Sequence, residues 1–196
     1  MAIIIKTCLP DGAIPEYICS LCYDVEDGGL RGAAYIHKSL KPVITQTNVE
    51  SREWWENNIS SGLILIIPKT RGTFDGGAKQ TVTGFGDEKE LVTKKIFTAV
   101  VNDRNYKGNV DFYEMLENNF SNYLFCFRTG SILYIASNAI TGIEVKNNVE
   151  EDTASMVLWQ ATITWEQKRP KMIVPQYEPG DDVIELFTGC AEEVEP

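Results

Sequence analysis

Residues 156–166, MVLWQATITWE, put two kinds of side chain on two faces of an extended chain. Val157, Trp159, Ala161, Ile163 and Trp165 fall on one face, and Gln160, Thr162 and Thr164 on the other. A period of two in a stretch dense in β-branched and aromatic residues predicts a strand lying over a core. Val157, Trp159, Ile163 and Trp165 are therefore expected inside, while Gln160, Thr162 and Thr164 face solvent or a channel. Further strand-like runs lie at 32–37, 42–46, 91–101 and 140–145, and GLILIIP at 62–68 reads as a buried strand ended by Pro68. Runs 123–128 and 131–136, separated by Thr129 and Gly130, predict a hairpin. In its first arm Leu124 and Cys126 oppose Phe125 and Phe127.

The period changes to that of a helix at 111–120, where Asp111 and Glu114 form an N-terminal box and Phe112, Met115 and Leu116 are expected to pack on the sheet. A second short helix, capped by Ser51, fits 51–58. Glycines at 72, 76, 77, 84 and 86 predict a long loop over 69–89. It closes no Gly-Lys-Ser/Thr phosphate loop and contains no GxGxxG fingerprint. Beyond Glu166, Pro170, Pro175 and Pro179 predict an extended arm, with a last short strand or turn at 182–187. Its Ile173, Val174, Ile184, Leu186 and Phe187 must fold back or lie on a neighbour. The expected organisation is an N-terminal extension (1–27), a mainly β domain (28–166) and a C-terminal arm (167–196).

Charge narrows the partners. The chain of 196 residues has 28 acidic against 18 basic side chains, a formal charge of -10. Such a surface does not collect nucleic acid or anionic membrane by its field. No apolar run approaches the roughly 18 residues of a span, and AIII near the start is too short for an export segment, so neither membrane nor export is expected. Five cysteines, an odd number, fit a reduced compartment better than a disulfide scaffold.

Candidate chemistry is thin. Cys19 and Cys22 have the C-x-x-C spacing, which brings two sulfurs onto one metal or onto each other, but the only nearby further ligands are Cys8 and His37, in no common zinc spacing. Buried, inert thiols are the expectation, with no metal and no cofactor. His37, the single histidine, stands beside no nucleophile motif. Asp103 and Asp111 are the cheapest carboxylate pair for glycoside hydrolysis, a pairing with little specificity among so many acids. Trp54 or Trp55 would serve a carbohydrate-binding or adhesion module if exposed, with tyrosines, in one concave patch; otherwise one ring belongs to the core and one to a subunit contact. The basic run Lys168-Arg169-Pro170-Lys171 reads as a solvated strand end. No catalytic residues are assigned, and an enzyme is not expected.

The order of strand, proline, glycine-rich loop, long strand, short helix, hairpin, acidic loop and closing strand resembles bacteriophage tail-tube proteins. The stretch IPKTRGTFDGGAKQTVTGFGDEKELVTKKIFTAVVNDRNYKGNVDFYEML in particular is similar to the middle of major tail proteins, or related head-to-tail ring proteins, of phages and prophages of Bacteroides-type bacteria. The resemblance covers about 28–166. It implies a β-sandwich or half-barrel with one short flanking α-helix, a long glycine-rich loop and extended termini. It further implies a virion structural protein, assembled in the host cytoplasm as a homo-oligomeric ring. A hexamer is the usual form and a dodecameric adaptor the variant. Its partners would be neighbouring tail or connector proteins, and double-stranded DNA would pass through without specific contacts. Arg71, Phe74, Asp75, Phe85 and Asp87 would contact the adjacent ring.

Overall fold

A computed structural model describes residues 29–83, 90–103, 109–148, 158–168 and 172–188. The fold is mainly β, as expected, and its centre is one antiparallel sheet of eight strands. In chain order these are β1 (Gly32–His37), β2 (Ile64–Ile67), β3 (Arg71–Thr83), β4 (Glu90–Asp103), β5 (Tyr123–Arg128), β6 (Leu133–Asn148), β7 (Leu158–Lys168) and β8 (Gln176–Tyr177). Across the sheet they run β2-β1-β5-β6-β7-β4-β3, with β8 on β6.

The sheet is bent at β6. The first half of this 16-residue strand pairs with β5 and the second half with β7, with a register shift between Ile140 and Gly142. An irregularity of this kind turns a strand without ending it. The runs expected as two separate strands, 131–136 and 140–145, are therefore one. The two halves face each other across a shared core: Phe74 of β3 lies 4.8 Å from Phe127 of β5, and Trp165 of β7 lies 5.5 Å from Phe125. The packing is that of a sandwich whose two sheets share a corner strand.

β7 follows its alternation. Ala161, Ile163 and Trp165 are buried, and Gln160, Thr162 and Thr164 are half-exposed on the other face. Trp159 is half-buried against the same core, with its ring 5.2 Å from Tyr113. Val157 lies outside the described residues. β5 is buried on both sides: Phe125 and Phe127 enter the core between the sheet halves, and Leu124 and Cys126 enter a second core. That second core lies under α1 (Gln46–Glu50), α2 (Arg52–Ser60) and α4 (Asp181–Thr188).

Several expectations change. β3 replaces most of the loop expected over 69–89, and of that range 84–89 lies outside the described residues. Two of its three glycines, Gly72 and Gly77, are what packing against β4 requires. A Cβ on Gly72 would stand 1.9 Å from the Val100 carbonyl oxygen, and Gly77, at a φ of 95°, has Phe97 where a Cβ would be, 2.7 Å away. β4 extends the run expected at 91–101 and ends on Asn102 and Asp103. Residues 42–46, expected as a strand, contribute instead to a 3-10 turn (Lys38–Val43) and to the cap and first residue of α1, where the Thr45 side chain accepts from the Asn48 N–H.

There are also four α-helices among the described residues, where two are predicted; α2 is the helix expected after Ser51, whose side chain accepts from the Trp54 N–H. In α3 (Val110–Asn119) the inward residues are Tyr113 and Leu116; Met115, expected inside, is 66% exposed. The phase is set by Tyr113, whose hydroxyl reaches back to Asp103. The segment 182–187 is helical: Val183 and Phe187, four apart, are fully buried beside Trp55. The described part of 167–196 thus folds back onto the domain through β8 and α4.

Candidate functional surfaces

Registers across β3, β4, β7 and β6 define the face opposite the core. Arg71, Asn102, Gln160 and Lys146 form one cross-strand row. Thr73, Val100, Thr162 and Glu144 form the next, followed by Asp75, Thr98, Thr164 and Gly142. Lys94 and Lys168 lie beyond, with Glu166 between these rows. Threonines hold the middle and charges of both signs hold the ends. Gln160 donates to the Asn102 side chain at 3.2 Å, and Thr164 to the Gly142 carbonyl at 3.1 Å. The Lys94 ammonium donates to Glu166, and this hydrogen bond is the main reason that the carboxyl is held below its usual range. The face is therefore polar, close to neutral and without an acidic field, in a chain whose formal charge is -10.

Residues expected to contact an adjacent ring divide by position. Arg71 and Asp75 are exposed on this outer face, whereas Phe74 turns inward and stacks within 6.0 Å of Phe97 and 5.8 Å of Trp165. Phe74 is half-buried and packs against the core in this conformation. Phe85 and Asp87 lie outside the described residues.

β3 is the end strand of the sheet. At Gly72 its free edge is covered by Leu30 through two backbone hydrogen bonds of 3.1 and 3.2 Å. From Thr73 to Thr83 it has no second strand partner among the described residues. A long open edge of this kind is a template for another chain.

The other candidates are structural. Trp55 is fully buried with its indole N–H on the Val49 carbonyl, and Trp54 packs edge-on against it, so the pair forms no exposed platform. His37 caps the 3-10 turn through Ser39 and lies edge-on to Tyr123. Cys8, Cys19 and Cys22 lie outside the described residues. Cys126 is buried, and burial pushes its thiol far above the usual range, which keeps it protonated. Lys168 is exposed at the end of β7, and Arg169, Pro170 and Lys171 lie outside the described residues.

Asp103 and Asp111 do not form a carboxylate pair with a common role. Asp111 is exposed in the first turn of α3, while Asp103 is buried and accepts from the Tyr113 hydroxyl and the Asn109 amide, both at 2.9 Å. Desolvation first, and the Asp103 charge second, push the phenols of Tyr113 and Tyr35 far above their ordinary value of 10.0. Both rings stay neutral in the fold, so this contribution to stability is intact below pH 10 and is lost as pH rises beyond it. Alkaline titration at 295 nm should show two of the eight tyrosines ionising only as the chain unfolds. Ionisation of all eight near pH 10 with the fold retained would contradict the burial.

One grouping was not legible in the sequence. Arg31, Lys69, Arg71 and Arg128 line a single cleft of about 590 Å³ at the covered end of β3. Comparison with known proteins finds no matching family model, curated protein or solved structure.

Proposed function

We propose that this chain is a structural subunit that joins copies of itself edge to edge into a closed ring or tube. The observation that carries this reading is the β3 edge from Thr73 to Thr83, which has no second strand partner among the described residues and borders a threonine-rich face. An edge of that length is an aggregation hazard in a free monomer, and closure of a ring removes it by pairing it with the next copy. The resemblance of residues 28–166 to phage tail-tube proteins supplies the setting, a virion tail or neck in which the outer face of β4 and β7 lines a DNA channel. Near-neutral rows of Thr98, Thr162, Thr164 and Gln160 would hold a passing duplex weakly, because tight binding needs many cationic contacts to phosphate. The ring is proposed as hexameric, with a dodecameric adaptor as the variant, and as bound to neighbouring tail or connector proteins. No catalytic role is included. Burial of Trp55, with Trp54 half-buried edge-on against it, weighs against the carbohydrate-binding reading.

Light scattering across a dilution series tests the proposal. The expected result is a discrete multiple of the 22.0 kDa chain mass that persists on dilution. A monodisperse monomer at high concentration would overturn it.

A further inference from the structure

The two most exposed large hydrophobic side chains among the described residues stand at opposite ends of the sandwich: Ile173 is 74% exposed and Met115 is 66% exposed. The register of β4 on β7 fixes those ends. Asp103 pairs with Trp159 at the end where α3, which carries Met115, is held to Asp103 by Tyr113. Lys95 pairs with Gln167 towards the other end, and there Ile173 shares a cleft of about 200 Å³ with Lys95, Phe74, Phe97 and Tyr134. Lys95 and Asp103 are eight residues apart along β4, about 26 Å.

Each end also has charge of one sign left over. At the α3 end, Leu65, Phe112, Met115 and Leu116 line a mainly apolar groove of about 420 Å³. Asp111 and Glu114 are exposed on α3, a helix that contains no basic residue. Neither carboxylate has an ion pair or side-chain hydrogen bond among the described residues. At the far end Lys79 and Lys95 stand directly opposite each other across β3 and β4, an arrangement that like charges disfavour. Neither lysine has an ion pair or side-chain hydrogen bond among the described residues, and the carboxylate at that end, Glu166, is taken by Lys94 and Lys168.

We propose that these two ends form one interface between copies of the chain. Ile173 of one copy, with the half-buried Met172 beside it, seats in the groove along α3 of the next, and Lys79 and Lys95 meet Asp111 and Glu114. Burying the exposed apolar groups of both ends drives the contact, and the charges fix its direction. The occupant is a second copy because this one chain supplies the projection, the groove and both signs of charge. Since the two surfaces differ, the contact is heterologous and repeats head to tail along the strands. The β3 edge joins copies side by side, so this is a second direction of assembly; it rests on the proposed function only in taking the chain as self-associating.

The test is carbodiimide cross-linking of the full chain, which condenses an amine and a carboxylate in contact, followed by mass spectrometry of an equal mixture of light and 15N-labelled protein. Peptides linking Lys79 or Lys95 to Asp111 or Glu114, in mixed light and heavy pairs, are expected. The span of β4 keeps these groups out of contact within one chain. Ile173→Asp should raise the protein concentration needed for half-maximal linking by at least about tenfold, the loss expected for one isoleucine that is no longer buried. Asp111→Lys/Glu114→Lys should abolish this set of links, and adding Lys79→Glu/Lys95→Glu to it should bring back linking between the exchanged positions. Val43→Asp, at another exposed hydrophobic residue, should change the concentration by less than about twofold. Closed rings without these links, undiminished linking in Ile173→Asp, or no recovery in the fourfold charge exchange would overturn this interface and leave edge-to-edge closure standing. The links in particles that never close would support the interface and count against the ring alone.

Discussion

Trp165→Ala should lower the unfolding free energy by about 4 kcal/mol, near the middle of the range for deleting a large buried aromatic side chain. Trp165 is fully buried and lies nearly parallel to two neighbours, 5.6 Å from Phe97 and 5.8 Å from Phe74, with Phe125 at 5.5 Å. It therefore joins β7 and β4 to the opposing half of the sheet at one point. Its indole N–H has no hydrogen-bond partner among the described residues. Trp165→Phe keeps an aromatic ring and removes that orphan donor, so it should cost far less, about 1 to 2 kcal/mol. Urea unfolding followed by far-UV circular dichroism separates the two. Since domains of this kind have only about 5 to 15 kcal/mol in hand, the alanine variant should be visibly marginal at 37 °C. A loss below about 1 kcal/mol would mean that the halves of the sheet do not close on this ring.

Asp103→Ala should cost about 3 kcal/mol, more than an ordinary hydrogen bond contributes. The carboxylate sits at the end of β4 and takes hydrogen bonds from Tyr113 within α3 and from Asn109 just before it. Removing it strands a buried phenol and an amide, and the full desolvation cost of each then counts against the fold. Asp103→Asn retains one acceptor and should recover part of the loss. Because Tyr113 and Asn109 belong to one helix and its cap, the effect should be marked there: amides 110–119 should exchange faster with solvent than those of β7 in the alanine variant. Exchange unchanged in α3, with stability within about 0.5 kcal/mol of the parent, would show that water replaces the carboxylate.

The sequence carried much of this fold where one face was wet and the other dry. β7 has such faces, so Ile163 and Trp165 could be placed inside and Thr162 and Thr164 outside from spacing alone. The same reasoning separated Cys126 from Phe127, although both sides of β5 proved to be covered. It failed at β3, where glycine is usually a mark of loops; here Gly72 is required by the nearness of Val100 and Gly77 by that of Phe97. It failed also at α4, where Val183 and Phe187 are spaced as a helix requires but the pattern spans barely two turns, too short to outweigh the prolines before it. The continuity of β6 depends on a bulge beside Gly142, and a bulge has no period to read. Of the candidate surfaces, the outer row of β7 was legible. The basic cleft was not, because Arg31, Lys69, Arg71 and Arg128 come from separate parts of the chain and meet only through the pairing of strand ends.

The strand 156–166 first indicated a core and an opposite polar face, and that polar face now leads to the question of assembly. Negative-stain imaging of the purified full chain tests it most directly. Closed rings of uniform diameter, or tubes built from them, with a particle mass of six or twelve times 22.0 kDa, are the expected result. A field of single globular particles at concentrations where light scattering also reports a monomer would contradict ring assembly through the β3 edge.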